Sequence, residues 1–488
     1  MKTTTLVRQV VQVVREGLIP VIERMFRGAQ IEEVLNDTDR SLAHSALEGA
    51  RQALEAVLTQ TATASPGGCK DDSARLAAYS LHTALGALRI GLWVYRDVDG
   101  RTRGELDMMQ LWHGCTLSVR EESAFLLAQG TAQEGREAML MFRGSVPSES
   151  TIKRLVATDG TRMMQVWDAN VPRLVQEQFG PVMSEVDMVS TSADGAMVPL
   201  RGTESTAAQL SSTEPDDTAE STSVRAYREA RIITVTLYGK PDDSKERTVT
   251  LHDEQGKPHG ECVGFQRPRL ATLIFGEMPG LDGPKGQRAQ LALAHIIGAI
   301  HTARPEAVIK GTTDGGHWPE QTIDNAIGAE NRNADFYHAT EHLRAGSKAA
   351  FSESELGRAW YKRWRNTLLT QDGAAEALAA EFSALAQTPG RSKAERKILQ
   401  REAGYFKKRA SNMNYAELLR NDMVIGSGVV EASVKRLITL RMKRTGATWA
   451  EPGGNAIIAL RSLRLSGLWD VAWKIHVENE KARYAEAS

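Results

Sequence analysis

The chain is 488 residues long, 41% hydrophobic and 25% charged. That composition belongs to a globular protein with room for about three domains and sizeable cores, and it excludes wholesale disorder. Three cysteines without CxxC spacing exclude a disulfide scaffold and a four-cysteine zinc site, and a net charge of −1 excludes a surface that coats polyanions everywhere while leaving room for local basic patches.

In chain order, apolar recurrence at 6–18 and again at 31–42 predicts helices over 1–60, and the stretch 6–26 is interrupted by too many charges (Arg8, Arg15, Glu16, Glu23, Arg24) for a signal peptide or membrane span. A loop is expected over 61–73 and helical periodicity again over 76–90. A short hairpin turning at Asp99-Gly100 should follow, then a helix over 119–140. Pro147 and Ser148 can start a further helix exposing Lys153 and Arg154. Helix, turn and helix over 123–158 has the shape of a DNA-reading helix-turn-helix, although two packed core helices are the preferred reading of the same pattern.

The character changes after residue 183. A strand is expected in EVDMVSTSADGAMVPL, then a Ser/Thr-rich insert over 201–224 too polar to pack. Next come a strand over 230–239, a hairpin around 255–257, a strand over 269–279, a helix stopping before Pro305, a strand in AVIKGTTDGG, a helix in PEQTIDNAIG and a short strand in NADFYHA. Three strands, helix, strand, helix, strand make a mixed sheet with helical crossovers. Residues 341–423 read as all helical, and a last helical element begins after IGSG. The expected class is therefore α+β, with a mainly helical region at 1–180, a sheet-bearing core at 181–340, a helical insertion at 341–423 and closing helices at 424–488.

Three acids sit where such a sheet would present them: Asp194 at the end of the first strand, Asp314 at the end of the fourth, and Glu431 in the first turn after Gly426-Ser427-Gly428. Carboxylates on separate elements suit Mg²⁺, a hard cation that takes few protein oxygens, and a pair of such ions suits phosphodiester cleavage. Each acid also has a plain reading. Asp-Gly is a turn dipeptide, and Glu431 could pair with Lys435 one helical turn on.

The runs DFYHATEHL at 335–343, IGSGVVEASVKRLITLRMKRTGATW at 425–449 and TDGGHW at 313–318 together resemble the ISKra-type transposases of bacterial insertion sequences, distantly similar to Mutator-like transposases. The resemblance covers about 187 to the C-terminus. It implies a ribonuclease H-like core with a DDE trio, Asp194, Asp314 and Glu431, binding two Mg²⁺ ions that Mn²⁺ can replace. It also implies that the helical run at 341–423 is an insertion within that core. Asp335-x-x-His338 is similar to an Asp/Cys-x-x-His element that supports the sheet, with Asp335 the rival to Asp314 as second acid. His338 and His342, one turn apart, take the same supporting role, with metal ligation as the alternative. Trp318 would either stack on an unpaired base or pack. Such proteins often carry cysteine pairs ahead of the core; this chain does not, so no zinc is expected and end recognition falls to helices.

Lys435, Arg436, Arg441, Lys443 and Arg444 form a window of five cations without an acid after Glu431, fit to lie along DNA. Arg363 and Arg365, interleaved with Trp360, Tyr361 and Trp364, suit phosphate contact plus base stacking, or else form a solvated helix face over buried aromatics. The expected partners are double-stranded DNA, as element ends and target, and further copies of the chain in a dimer or larger assembly. No membrane is expected, and the setting is the reducing bacterial cytoplasm at the nucleoid. Two other functions compete: a DNA-binding descendant that no longer cuts, and a ribonuclease H-like nuclease that does not join strands.

Overall fold

The computed structural model describes residues 75–83, 86–96, 102–104, 115–142, 146–201, 227–241, 248–252, 257–263, 265–279 and 287–486. The helices expected over 1–60, the loop at 61–73 and nearly all of the Ser/Thr-rich insert lie outside these residues. The chain divides into two compact units, one of residues up to Arg162 together with those from Trp473 onward, the other of Met163–Ala472.

The described part of the first unit opens on a three-stranded antiparallel sheet, β1 (Arg75–Thr83), β2 (Gly86–Arg96) and β3 (Thr102–Gly104). The helix expected over 76–90 is therefore two strands. Ala and Leu favour helix there, but antiparallel pairing of β1 with β2 places Leu81 opposite Leu88, both buried, and that cross-strand pair outweighs local propensity. β2 and β3 pair antiparallel, with Arg96 opposite Thr102, while the turn expected at Asp99-Gly100 lies outside the described residues.

The helix expected over 119–140 is two, α1 (Leu117–Gln129) and α2 (Ala132–Phe142). They part at Thr131, whose Oγ1 accepts from the Glu134 amide at 3.1 Å while Glu134 Oε2 accepts from the Thr131 amide at 2.6 Å, a reciprocal cap that starts a new helix. Ser148 Oγ similarly accepts from the Thr151 amide at 3.2 Å and opens α3 (Glu149–Met183). α3 kinks at Asn170, two residues before Pro172, which lacks an amide to continue the ladder.

The second unit is built on a five-stranded mixed sheet of β4 (Met188–Pro199), β5 (Tyr227–Tyr238), β8 (Arg269–Glu277), β9 (Val308–Thr313) and β10 (Arg332–Ala334), in the order β10-β9-β4-β5-β8. β4 with β5 and β5 with β8 pair antiparallel, while β9 and β10 continue parallel to β4 through α4 (Gln287–Ala303) and α5 (His317–Ile327). β6 (Thr248–His252) and β7 (Pro258–Val263) form the side hairpin expected near 255–257. The strand expected in NADFYHA stops at Ala334, because the Asp335 side chain accepts from the His338 amide and caps α6 (Phe336–Phe351).

α6 opens a helical block with α7 (Glu355–Thr370), α8 (Ala374–Gln387), α9 (Lys393–Arg409) and α10 (Tyr415–Arg420), around a core that includes Phe336, Trp360, Trp364, Phe382 and Phe406. The chain then returns to the sheet as α11 (Gly428–Val434), a π turn over Lys435–Thr439 and one further turn Leu440–Met442, where a single helix was expected. Val430, Leu437, Ile438 and Met442 pack on Ala196, Val198, Ala230 and Ile232 of the central strands, joined by Ile458 of α12 (Glu451–Leu465). Gly276 lets β8 approach: a Cβ there would stand 2.7 Å from Leu437 and 2.8 Å from Ile458. α13 (Trp469–Glu486) ends the described chain. No described helix is long and apolar enough to cross a membrane.

Candidate active site

Asp194 is inside β4, opposite Ile232 of β5, and not at the strand's end as expected. Strand alternation puts it on the face of Ala196 and Val198, which is the face α11 covers. Asp314 follows the last residue of β9, the strand beside β4, and its Oδ1 accepts from the Gly316 amide at 3.0 Å, shaping the turn into α5. Glu431 is exposed in the first turn of α11. Among the described residues no ion pair joins it to Lys435, so the plain helix-surface reading finds no partner there.

The three acids lie 120 and 117 residues apart in sequence, and the fold brings Asp314 and Glu431 within electrostatic reach of Asp194. The Asp194 carboxyl is pushed above the usual aspartate range, first by burial and then by the charges of Asp314, Glu431 and Glu229, against a 2.6 Å hydrogen bond from the Gly195 amide. Among the described residues no lysine or arginine forms an ion pair with Asp194, Asp314 or Glu431. An all-oxygen, anionic and partly buried donor set of this kind fits a hard divalent cation. Among the described residues no three His, Cys, Asp or Glu side chains are already closed around one point. Asp314 and Glu431 are thus near enough to act on the charge of Asp194, while among the described residues the three form no closed ligand set.

Glu229 is a fourth acid that the sequence reading missed. It stands on β5 opposite Met197, and its carboxylate leans across Gly195 so closely that a Cβ on that glycine would lie 2.2 Å from Oε1. The signal was in Asp194-Gly195: a glycine inside a strand marks close approach by another group as readily as it marks a turn.

Asp335 fastens the site together. Its amide donates to the Thr313 carbonyl at 2.8 Å, one residue before Asp314. One carboxylate oxygen accepts from the His338 amide at 2.7 Å, and the other accepts from the Ser427 amide, four residues before Glu431. Phe336 N donates to Ile425 O at 2.9 Å beside it. With 1% of its surface exposed and both oxygens engaged, Asp335 is placed to hold the elements that carry Asp314 and Glu431. Arg409 adds a second brace, donating from Nη2 to the Gly315 carbonyl at 3.0 Å; Gly315 has φ +99°, and a Cβ there would stand 2.7 Å from that nitrogen.

His338 and His342 meet at 3.3 Å between their Nε2 atoms, and His342 Nδ1 lies 2.6 Å from the buried Glu402 carboxylate. Tyr405 stacks on His342 at 3.6 Å. The pair thus ties α6 to α9 within the helical block. Half-buried Trp318 lies under the Arg231 guanidinium at 5.1 Å, so it packs against a cation from β5.

The basic residues separate into groups. Lys435, Arg436, Lys443 and Arg444 are exposed, whereas Arg441 is buried with its guanidinium 4.8 Å from the Trp449 ring, and so departs from the expected exposed row. Arg363 donates to Glu381 at 3.3 Å, and Arg365 lies over Phe336 at 5.4 Å. Trp360 and Trp364 are core residues, which removes them from base stacking: the α7 pattern is a solvated helix face over buried aromatics. On α3, Lys153 and Arg154 are exposed, Lys153 near Glu149 at 3.7 Å and Arg154 donating to Thr151 Oγ1 at 3.4 Å. No protein-family model matches the chain, and no curated protein matches it in sequence.

Proposed function

We propose that the chain is a DNA transposase that cuts the ends of an insertion sequence and joins them to target DNA at Asp194, Asp314 and Glu431. The observation that carries this reading is the electrostatic convergence of those three acids from β4, the β9–α5 turn and α11. The sheet supports it: three antiparallel strands followed by helix, strand, helix and strand, interrupted by a helical block before the Glu431 helix, is the arrangement a ribonuclease H-like core with an insertion would take.

Cutting adds water across a phosphodiester and leaves a 3′-hydroxyl and a 5′-phosphate; joining is attack of that hydroxyl on a target phosphodiester, which releases a new 3′-hydroxyl. Two Mg²⁺ ions, or Mn²⁺ in their place, held by Asp194, Asp314 and Glu431 would supply charge stabilisation for the attacking and leaving oxygens. The chain's own part is to hold these carboxylates at fixed positions, with Asp335 and Arg409 bracing the turn after β9 and the start of α11. Exposed Lys435, Arg436, Lys443 and Arg444 follow Glu431 and offer contacts to the phosphate backbone that position the duplex without reading its sequence. Lys153 and Arg154 are the candidates for end recognition. Both ends of an element must be held at once, so the active form is a dimer or larger assembly, acting in the cytoplasm at the nucleoid.

The test is cleavage and joining of a labelled duplex carrying the ends of the encoding element, with Mg²⁺, by the wild type and by Glu431→Gln. Cleavage and joining lost in the variant, with DNA binding retained, is the expected result. Binding without cleavage by the wild type would mean a binding-only descendant, and cleavage without joining a nuclease.

A further inference from the structure

A cavity of about 480 Å³ opens between α6 and α7 in the helical block, lined by none of the acids of the candidate active site. Four of its lining residues are cations: Arg344 and Lys348 from α6, Arg358 and Lys362 from α7. One carboxylate, Glu353, stands against them, and Lys348 Nζ already engages it at 2.7 Å. Among the described residues neither Arg344 nor Lys362 has a carboxylate partner. The Arg344 guanidinium carbon lies 5.1 Å from the centroid of the Tyr361 ring, a cation–π contact that leaves N–H donors for an anion.

The walls of this cavity are built rather than incidental. Ser347 Oγ donates from α6 to the Gly357 carbonyl at 2.8 Å, and Ser354 Oγ accepts from the Gly357 amide at 3.1 Å to cap α7. Between them Ser352 adopts φ +56°, in the left-handed region unusual for a residue with a side chain. A Cβ on Gly357 would lie 2.9 Å from the Ser352 carbonyl, so the loop is locked against the start of α7. Backbone strain held this firmly tends to occur at ligand clamps. The cations lie at that same clamp.

We infer that this cavity holds a phosphodiester group of a nucleic-acid backbone. A planar guanidinium beside mobile ammonium groups matches a tetrahedral anion with several acceptor oxygens. Only the source of the phosphate rests on the DNA reading above; the charge and shape of the cavity stand apart from the carboxylates.

The experiment measures duplex binding by the full chain against salt concentration, for the wild type, for Lys362→Gln and for the double variant Arg344→Gln, Lys362→Gln. Thermal unfolding of each is followed in parallel, and inorganic phosphate is titrated separately. Loss of the one phosphate contact should flatten the slope of log affinity against log salt by about one in the double variant and by less in the single. Affinity should fall roughly ten- to a hundredfold near 0.1 M salt, with unfolding unchanged. Slopes equal to the wild type's would overturn the assignment while leaving the DNA reading intact. Loss of inorganic phosphate binding with duplex binding unaltered would overturn it in favour of a free-phosphate site. A wild type that binds no duplex would remove both the DNA reading and the phosphodiester together.

Discussion

At the scale of single residues, half-buried Asp194 and buried Asp335 show how two carboxyls take opposite roles. Asp335 has a hydrogen-bond donor on each oxygen, so its removal leaves the first turn of α6 and the Ser427 amide unsatisfied. Asp335→Ala should cost about 2–4 kcal/mol in urea unfolding, from a lost cap and an orphaned buried amide. It should also depress strand cleavage even though no acid of the trio has changed. Asp194 is raised by burial and like charge instead. Between the ordinary aspartate range and its raised folded value, the native protein keeps a proton that the unfolded chain has lost, so this group's contribution to stability falls as pH rises through that window. Asp194→Asn should remove that slope and raise Tm in the absence of divalent cations. Mg²⁺ should raise the Tm of the wild type and leave that of the variant nearly unmoved, as read by calorimetry with and without EDTA.

At the scale of elements, much of the second unit was legible because its signals are local. Alternation in β5 and β8, the apolar stripe of α4 and the alanine-rich helices after 341 all appear as read, and Asp314 falls just after β9 as expected. The misreadings have physical causes. Residues 76–90 combine helix-favouring Ala and Leu with a reversal that only strand pairing reveals, and Thr131-x-x-Glu134 is a helix start hidden inside a continuous helical period. Glu229 could not be found from spacing, because what recruits it is the missing side chain at Gly195 on another strand. The aromatics of α7 looked like stacking platforms, although their four-residue spacing is that of a buried helix face. Close helix packing in the block has its own test: a Cβ at Gly346 of α6 would stand 2.2 Å from the Phe382 ring of α8, so Gly346→Ala should destabilise by about 1–3 kcal/mol through overpacking.

At the scale of the whole molecule, each unit has its own source of cohesion. The first is held by a buried charge network that no sequence motif announces, since it joins residues more than 300 apart. Arg120 donates from Nε to Asp159 at 3.1 Å and from Nη2 to Glu480 at 3.0 Å, and His476 Nε2 lies 3.2 Å from Asp159. Burial alone would push Asp159 up, yet its hydrogen bonds with His476 and Arg120 hold it below the usual range. Its stabilisation is therefore complete above the ordinary aspartate range and is lost as pH falls toward the depressed folded value, opposite in sign to Asp194. Asp159→Asn should cost about 3–5 kcal/mol by leaving the Arg120 charge buried with less compensation, and should weaken the acid-side loss of stability. Equilibrium unfolding between pH 3 and 7 reads both effects. In the second unit the mixed sheet and the helical block have separate cores, which suits a block inserted between β10 and α11.

The convergence of Asp194, Asp314 and Glu431 on one cation site is tested most directly by titrating Mn²⁺ into the wild type, Asp194→Asn, Asp314→Asn and Glu431→Gln and following binding by calorimetry. The expected result is saturable binding by the wild type that weakens by at least about tenfold in each variant, since loss of a ligand should cost no less than loss of the outer groups that orient one. Binding at wild-type strength in any one of the three would contradict the shared site and exclude that acid from it.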